Sequence, residues 1–180
     1  MRKIRMVSAL LASALVLGSC AKDSSEKLEG SYTYKTSGSV TLMAKSLVGL
    51  DPATLSAYKA AGVNVDPVLV GLYPEQGQMH IVGCDDNVKI TFNDILGNAD
   101  VTDAAVDGAR ITIEGNPAKA AQLTDGKDKI GAGMVLYTGS GTKYDDMLIM
   151  DLQYQGEFSV NGVQMVVVAS DVHCVAQSNE

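Results

Sequence analysis

The stretch Phe158–Ala169, FSVNGVQMVVVA, constrains this chain more than any other part of it. Side chains alternate up to Val160, Asn161-Gly162 interrupts, and apolar residues resume at Val163. A period of two puts successive side chains on opposite faces of a strand. Asn-Gly accepts the positive φ values that a two-residue hairpin turn requires. A chain built from such units folds into antiparallel sheet.

The same grammar recurs along the sequence. Tyr32 and Tyr34 alternate with Ser31 and Thr33, which predicts a first strand from Gly30 to Thr36, extendable past Gly38 to Leu42. Met79, Ile81 and Gly83 alternate with His80 and Val82, then Asp85-Asp86-Asn87 turns the chain into Val88, Ile90 and Phe92. Asp107-Gly108, between Asn98–Val106 and Arg110–Glu114, predicts a hairpin with a type I′ turn. Asn116–Asp128 reads as a loop, Gly133–Thr138 as a strand, and Gly139-Ser140-Gly141 as the turn that ends it. Met147–Tyr154 and Asp171–Ala176 supply further strands.

One segment changes period. Asp51 suits a helix N-cap, Pro52 the first helical position and Gly62 the left-handed stop, with Leu55 and Tyr58 sharing a face between them. Asp66-Pro67 repeats the start signal, predicting a second helical turn through Leu72 before Pro74. The expected fold is all-β, an antiparallel meander barrel of about 8–10 strands with a short helical insert near 47–73. A β-sandwich is the alternative. Residues 30–180 form one domain, long enough to bury a core.

The N-terminus sets a different expectation. Arg2, Lys3 and Arg5 precede a mostly apolar run from Met6 to Leu17. A helix of about twelve residues reaches roughly 18 Å, short of a hydrocarbon core of about 30 Å, so the run reads as a signal-peptide core. Leu17-Gly18-Ser19-Cys20 resembles the bacterial lipobox. That resemblance implies that residues 1–19 are removed and that Cys20 carries lipid. Residues 20–29 then form a polar tether. Ala21-Lys22-Asp23 lacks an Asp directly after the cysteine, the residue that enterobacterial sorting uses for inner-membrane retention. The expected address is the bacterial outer membrane, periplasmic or surface-facing.

Charge narrows the partners. The chain carries 14 Lys+Arg against 21 Asp+Glu; losing the three leader cations leaves 11 against 21, a net charge of −10. Nucleic acid and anionic headgroups repel such a chain.

Sites for chemistry are sparse. Cys84 and Cys174 form a candidate disulfide in an oxidising compartment, and two separate thiols are the alternative. His80, Cys84, His173 and Cys174 are the residues from which a zinc site would be drawn, but no Cys-x₂-Cys knuckle supports one, and adjacent His173 and Cys174 point to opposite strand faces. Asp85, Asp86 and Asn87, or Asp100, Asp103 and Asp107, do not match a calcium-binding loop. Nucleophile-elbow and zinc-protease motifs are absent, and Asp151, inside an apolar strand, is the one carboxylate to inspect. The reading is non-enzymatic, with no metal and no cofactor.

The lipobox, the tether, the Leu28-x-Gly30-x-Tyr32 first strand and hairpins such as VKITFNDILGNADVTDAAVDGARITIEG together resemble the calycin-like and lipocalin-like small lipoproteins common in Bacteroidota. Gly30-Ser31-Tyr32 carries Tyr where lipocalins carry Trp. By analogy with lipid-binding barrels, the helical insert is either a lid over the mouth or a plug. The resemblance implies a lipid-anchored barrel able to hold a small apolar ligand. Met79, Ile81, Ile90, Phe92, Leu148, Met150, Val166 and Val168 are the candidate lining, or equally a packed core. A structural or accessory role in a cell-surface complex, with an envelope protein as partner, is the alternative.

Overall fold

A computed structural model describes residues 27–72, 75–84, 87–95 and 97–179. The leader, Cys20 and Asp85-Asp86 lie outside the described residues.

The chain forms one ten-stranded antiparallel sheet. Its strands are β1 (Gly30–Ala44), β2 (Val68–Leu72), β3 (Gln76–Cys84), β4 (Asn87–Asp94), β5 (Ala99–Asp107), β6 (Arg110–Ile113), β7 (Lys119–Thr124), β8 (Lys129–Tyr144), β9 (Met147–Val160) and β10 (Val163–Ser178). Its hydrogen bonds run in a ring, because β10 pairs back onto β1 from Tyr32↔Ser178 to Ala44↔Met165.

Two pairs of short strands are halves of longer paths. β2 and β3 both lie along β1, opposite Ser39–Leu42 and Gly30–Lys35 respectively. Likewise β7 and β6 both lie along β8, opposite 129–135 and 139–142. The β4–β5 hairpin fills the wall between these two paths over its lower part. Above the hairpin tip, β2 and β7 pair directly, Gly71 with Thr124 and Leu72 with Leu123. The ring is therefore eight strands around in its lower part and six in its upper part. β1, β8, β9 and β10 are common to both.

Alternation packs the interior. Tyr32, Met79, Val88, Ile90, Leu123, Leu148 and Phe158 are completely buried. Tyr34 and Phe92 meet edge to face at 5.2 Å, and Tyr137 stacks on Tyr154 at 5.5 Å. Leu28 is buried too, and its carbonyl accepts the Tyr32 hydroxyl at 2.8 Å, pinning the entry of the chain to one end of the ring.

The structure corrects several sequence expectations. Asp66–Leu72 is not a second helical turn: Val68–Leu72 is strand β2, held by partners on both sides that a local start signal does not reveal. The helix α1 (Pro52–Ala60) does form, with Asp51 accepting the N–H groups of Ala53 and Thr54. None of its side chains is buried, so it neither lids nor plugs the ring; Leu47 and Val65, on either side of it, do the packing. The 116–128 loop contains β7. Gly139-Ser140-Gly141 is not a turn but lies within β8, where Gly139 and Gly141 leave no room for a side chain. A Cβ on Gly141 would meet Met150 at 2.4 Å, and one on Gly139 would meet Leu152 at 2.7 Å. The β5–β6 turn is Gly108-Ala109, with positive φ at Gly108 alone, which fits type II′ and not type I′.

One further correction concerns phase. β1 pairs Thr41 with Ala169 and Leu42 with Val167, so Val168 is an extra residue in β10. A bulge of one residue exchanges the two faces. Met165 and Val167 pack on the core before the bulge; Val172, Cys174 and Ala176 pack inside it after the bulge. Val166 is thus out of phase with the core, and Val168 is exposed.

Candidate functional site

The wall of the ring has a window where β2 and β7 leave the tip of the β4–β5 hairpin. At both margins a strand path breaks, and broken paths leave backbone groups without ladder partners. On the β1 side Thr36 resolves this: its N–H donates to the Glu75 carbonyl at 2.7 Å, and its hydroxyl oxygen accepts the Glu75 N–H at 2.8 Å. On the β8 side the buried Asn116 supplies a side-chain oxygen to the Tyr137 N–H at 2.7 Å. The cleft between these margins has a volume of about 510 Å³. Glu75, Asp94, Asp100 and Lys119 line it above a floor that includes Tyr34 and Phe92.

Lys119, the first residue of β7, reaches inward through this opening. Its ammonium lies 2.7 Å from Glu75 Oε2 and 3.5 Å from Asp100 Oδ2, with all three side chains mostly buried. It also sits over the rings of Tyr137 and Tyr154, 5.1 and 5.9 Å from their centroids. The Tyr137 hydroxyl donates to Asp100 Oδ2 at 2.9 Å. The Tyr154 hydroxyl is buried with no hydrogen-bond partner among the described residues.

Electrostatics follows from this packing. Burial opposes the Lys119 charge, but the oxygens of Tyr154, Glu75 and Asp100 prevail and hold its pKa above the ordinary lysine value. Burial raises the pKa of Tyr137, helped by the charge and hydrogen bond of Asp100. Burial likewise raises Tyr154 and Tyr34, with Glu75 adding to both. The Cys174 thiol is pushed up to about 12, chiefly by burial. The lysine is a fixed cation, and the phenols and the thiol keep their protons. The cluster can hold a polar group in place but presents no activated nucleophile.

Set against known protein families, characterised proteins and solved structures, the chain gives no match. The site must be read from its own geometry.

The residues singled out in the sequence lie mostly elsewhere. Cys84 and Cys174 are free thiols, one exposed and one buried. Ile81 faces Gly30, so Cys84 lies beyond the start of β1, whereas Cys174 faces Thr36. That is about nine residues of strand, roughly 30 Å, and a bridge needs Cα atoms within about 7 Å. The candidate disulfide does not form in this fold. His80 contacts the Ser31 hydroxyl at 3.0 Å, and His173 lies between Asp151 at 2.7 Å and Asp171 at 3.2 Å, exposed on the outer face. Among the described residues no group of three His, Cys, Asp or Glu side chains is placed to hold a metal ion. Asn87 opens β4, and Asp103 and Asp107 are exposed on β5, Asp103 beside Lys89 at 3.6 Å. Of the described acids considered for calcium, only Asp100 belongs to the window.

Lys119 and Glu75 went unmarked in the sequence. They are 44 positions apart, and neither interrupts an apolar pattern. The available signal was weak: a lysine opening a short apolar segment, AKAAQL, in what read as a loop.

Proposed function

We propose that this chain is a non-enzymatic, lipid-anchored protein of the bacterial outer membrane, built on a calycin-like meander barrel, and that it serves as an accessory binding component of the cell envelope. The observation that carries this reading is the filled interior. Six of the eight candidate lining residues, Met79, Ile81, Ile90, Phe92, Leu148 and Met150, are buried against one another and against Tyr32, Tyr34 and Phe158. A barrel that holds an apolar ligand needs apolar cavity volume of a few hundred Å³; these side chains occupy that space themselves. The barrel reading draws support from the strand paths, each beside its neighbour in sequence and the last beside the first.

Binding is then a matter for the surface. Leu69 and Ile95, each 69% exposed, share an outer groove of about 940 Å³, and exposed apolar groups gathered in one place mark contact sites. The test is mass spectrometry of the protein purified from its own membranes, paired with cross-linking in intact cells. The expected results are a chain beginning at an acylated Cys20, no stoichiometric apolar passenger, and a discrete cross-linked protein partner. An intact leader would overturn the anchor, and a stoichiometric lipid passenger would restore the ligand-holding role.

A further inference from the structure

We propose that the β5 margin of the window is a docking edge for an extended polypeptide segment of a partner protein, which joins the wall as an added antiparallel strand and carries a basic residue opposite Asp103. The inference rests on the accessory binding role proposed above and gives it a place and a mode of recognition.

The first observation is an unpaired strand edge. On one side β5 pairs with β4 along almost all its length, from Asn87↔Ala105 to Asn93↔Ala99. On the other it pairs with β6 only at Ala105, Val106 and Asp107. Asp107 and Arg110 flank a two-residue turn, so they exchange both of their backbone hydrogen bonds. Counting back in twos, Ala105, Asp103, Val101 and Ala99 all aim N–H and C=O away from β4. The Asp94 N–H, which donates to the Asn98 carbonyl at 3.0 Å, sets the same phase from the far end of the β4–β5 hairpin. Of those four residues β6 meets Ala105 alone. No backbone hydrogen bond joins Asp103, Val101 or Ala99 to the segment 114–118 that follows β6. The Asp103 carbonyl has one long contact, from the Thr102 hydroxyl at 3.4 Å. Thr36 and Asn116 supply side-chain substitutes at the other two margins of the window; β5 has none.

The second observation is room. The cavity of about 510 Å³ lies between Ala99–Val101 and Pro117–Ala120, where a strand beside β5 would run. Ala99, Ala118 and Ala120 at its rim are small and exposed, so the outward side chains of an added strand meet no bulk there.

The third is charge. Continuing the β5–β6 register would set Asp103 opposite Glu114, both exposed. Like charges directly opposite one another destabilise a ladder, which accounts for its stopping at Ala105. Lys89 reaches Asp103 only from the β4 side, at 3.6 Å. A Lys or Arg on an added strand turns that repulsion into attraction.

These observations select the occupant. N–H and C=O groups repeating at strand spacing are matched by another extended backbone, the chemistry of strand addition. A second copy of this chain is a poor candidate: with 21 acidic against 14 basic residues, two copies repel. Charge on an open edge is a common guard against self-pairing. Here it leaves the edge open to a strand of opposite charge.

The test titrates the peptide acetyl-Thr-Lys-Thr-Val-Thr-Ala-Thr-amide into the ¹⁵N-labelled full chain. In antiparallel register its Lys, Val and Ala stand opposite Asp103, Val101 and Ala99. Saturable shifts and slowed hydrogen exchange are expected at those three amides, with a Kd of about 1 mM. Methylating the peptide's valine nitrogen removes the donor that faces Val101 and is expected to abolish saturation. Exchanging the peptide's Lys for Glu is expected to weaken binding about threefold. Val101→Pro deletes an N–H that bonds nothing within the fold, so it is expected to keep the native circular dichroism spectrum and to lose the peptide. Should that variant not fold, the N-methylated peptide decides. Linear shifts, or equal binding of the N-methylated peptide, would overturn the edge. Shifts at the same amides on raising the protein concentration alone would assign the edge to a second copy and overturn the partner. Acylation of Cys20 and cross-linking in cells are read independently of this titration, so the inference and the binding role fail separately.

Discussion

The Asn116 side chain accepts the Tyr137 backbone N–H at 2.7 Å, across the gap where the path of β6 stops and that of β7 has not begun. One amide oxygen thus stands in for a missing strand. Replacing it leaves a buried donor with no acceptor, which costs about 1–3 kcal/mol. Asn116→Ala is expected to lower the unfolding free energy, read from urea denaturation, by that amount and to speed hydrogen exchange at the Tyr137 amide above all others in β8. Unchanged exchange there would show that another acceptor takes over.

The inner face of β8 tells small residues from larger ones. A Cβ on Gly133 would lie 2.0 Å from the Glu157 carbonyl oxygen and 2.8 Å from the Phe158 ring, whereas one on Gly115 meets nothing within 4 Å. Gly133→Ala is expected to destabilise by about 3 kcal/mol or more. Gly115→Ala is expected to change stability by less than about 0.5 kcal/mol. Paired chemical denaturation curves of the two variants decide it, and equal midpoints would refute the packing.

Removing the Lys119 ammonium alone leaves Glu75 and Asp100 as uncompensated, mostly buried carboxylates, at a cost of roughly 3–5 kcal/mol. Lys119→Met keeps the aliphatic contact with the tyrosine rings and isolates the charge. Combining it with Glu75→Gln removes one orphaned charge, so the double variant is expected to be more stable than Lys119→Met. Additive losses in a double-mutant cycle would mean that the two side chains do not interact.

The thiols report on the ring as a whole. With Cys20 changed to Ser, the native protein is expected to react with Ellman's reagent at Cys84 only, and at Cys174 once urea unfolds the chain. The mass is expected not to change on reduction. A gain of two hydrogens on reduction would show that the cysteines had bridged.

Alkali is expected to unfold this protein. Cys174, from 9.0 to about 12, and Tyr34, Tyr137 and Tyr154, all from 10.0, are raised in the folded state, first by burial. Lys119 is raised from 10.5 by its oxygen neighbours despite burial. Each group holds its proton longer folded than unfolded. Its contribution is complete below the unfolded value and is lost as pH climbs toward the folded one. Stability is therefore expected to fall from about pH 9 upward, and more steeply above 10. Tyrosinate absorbance should show at least three tyrosines, Tyr34, Tyr137 and Tyr154, withheld until circular dichroism is lost. Smooth ionisation of every tyrosine ahead of unfolding would contradict the buried cluster.

Local chemistry made the hairpins legible. Asn161 and Gly162 take positive φ between β9 and β10 as their sequence predicts. Alternation correctly placed Met79, Ile81, Leu148 and Met150 inside. What stayed hidden depends on residues far apart in sequence. Val168 belongs to a run of three valines, and nothing local says which is the extra one; only the register against β1 does. Gly139 and Gly141 read as a turn because glycine's freedom and glycine's smallness leave the same mark, and here smallness decides. Asp66-Pro67 opens a strand because β1 and β7 supply partners for Val68–Leu72. The window cluster gathers Glu75, Asp100, Lys119, Tyr137 and Tyr154 from several different elements, so no single stretch of sequence announces it.

Pairing β1 with β10 also bears on how the molecule is made. Until β10 arrives the opening strand waits with one flank bare. A nascent chain halted anywhere before residue 163 cannot shut the circle and presents a sticky margin to other copies of itself. Removing the chain from Val163 onward should therefore yield aggregates, not a shortened native form.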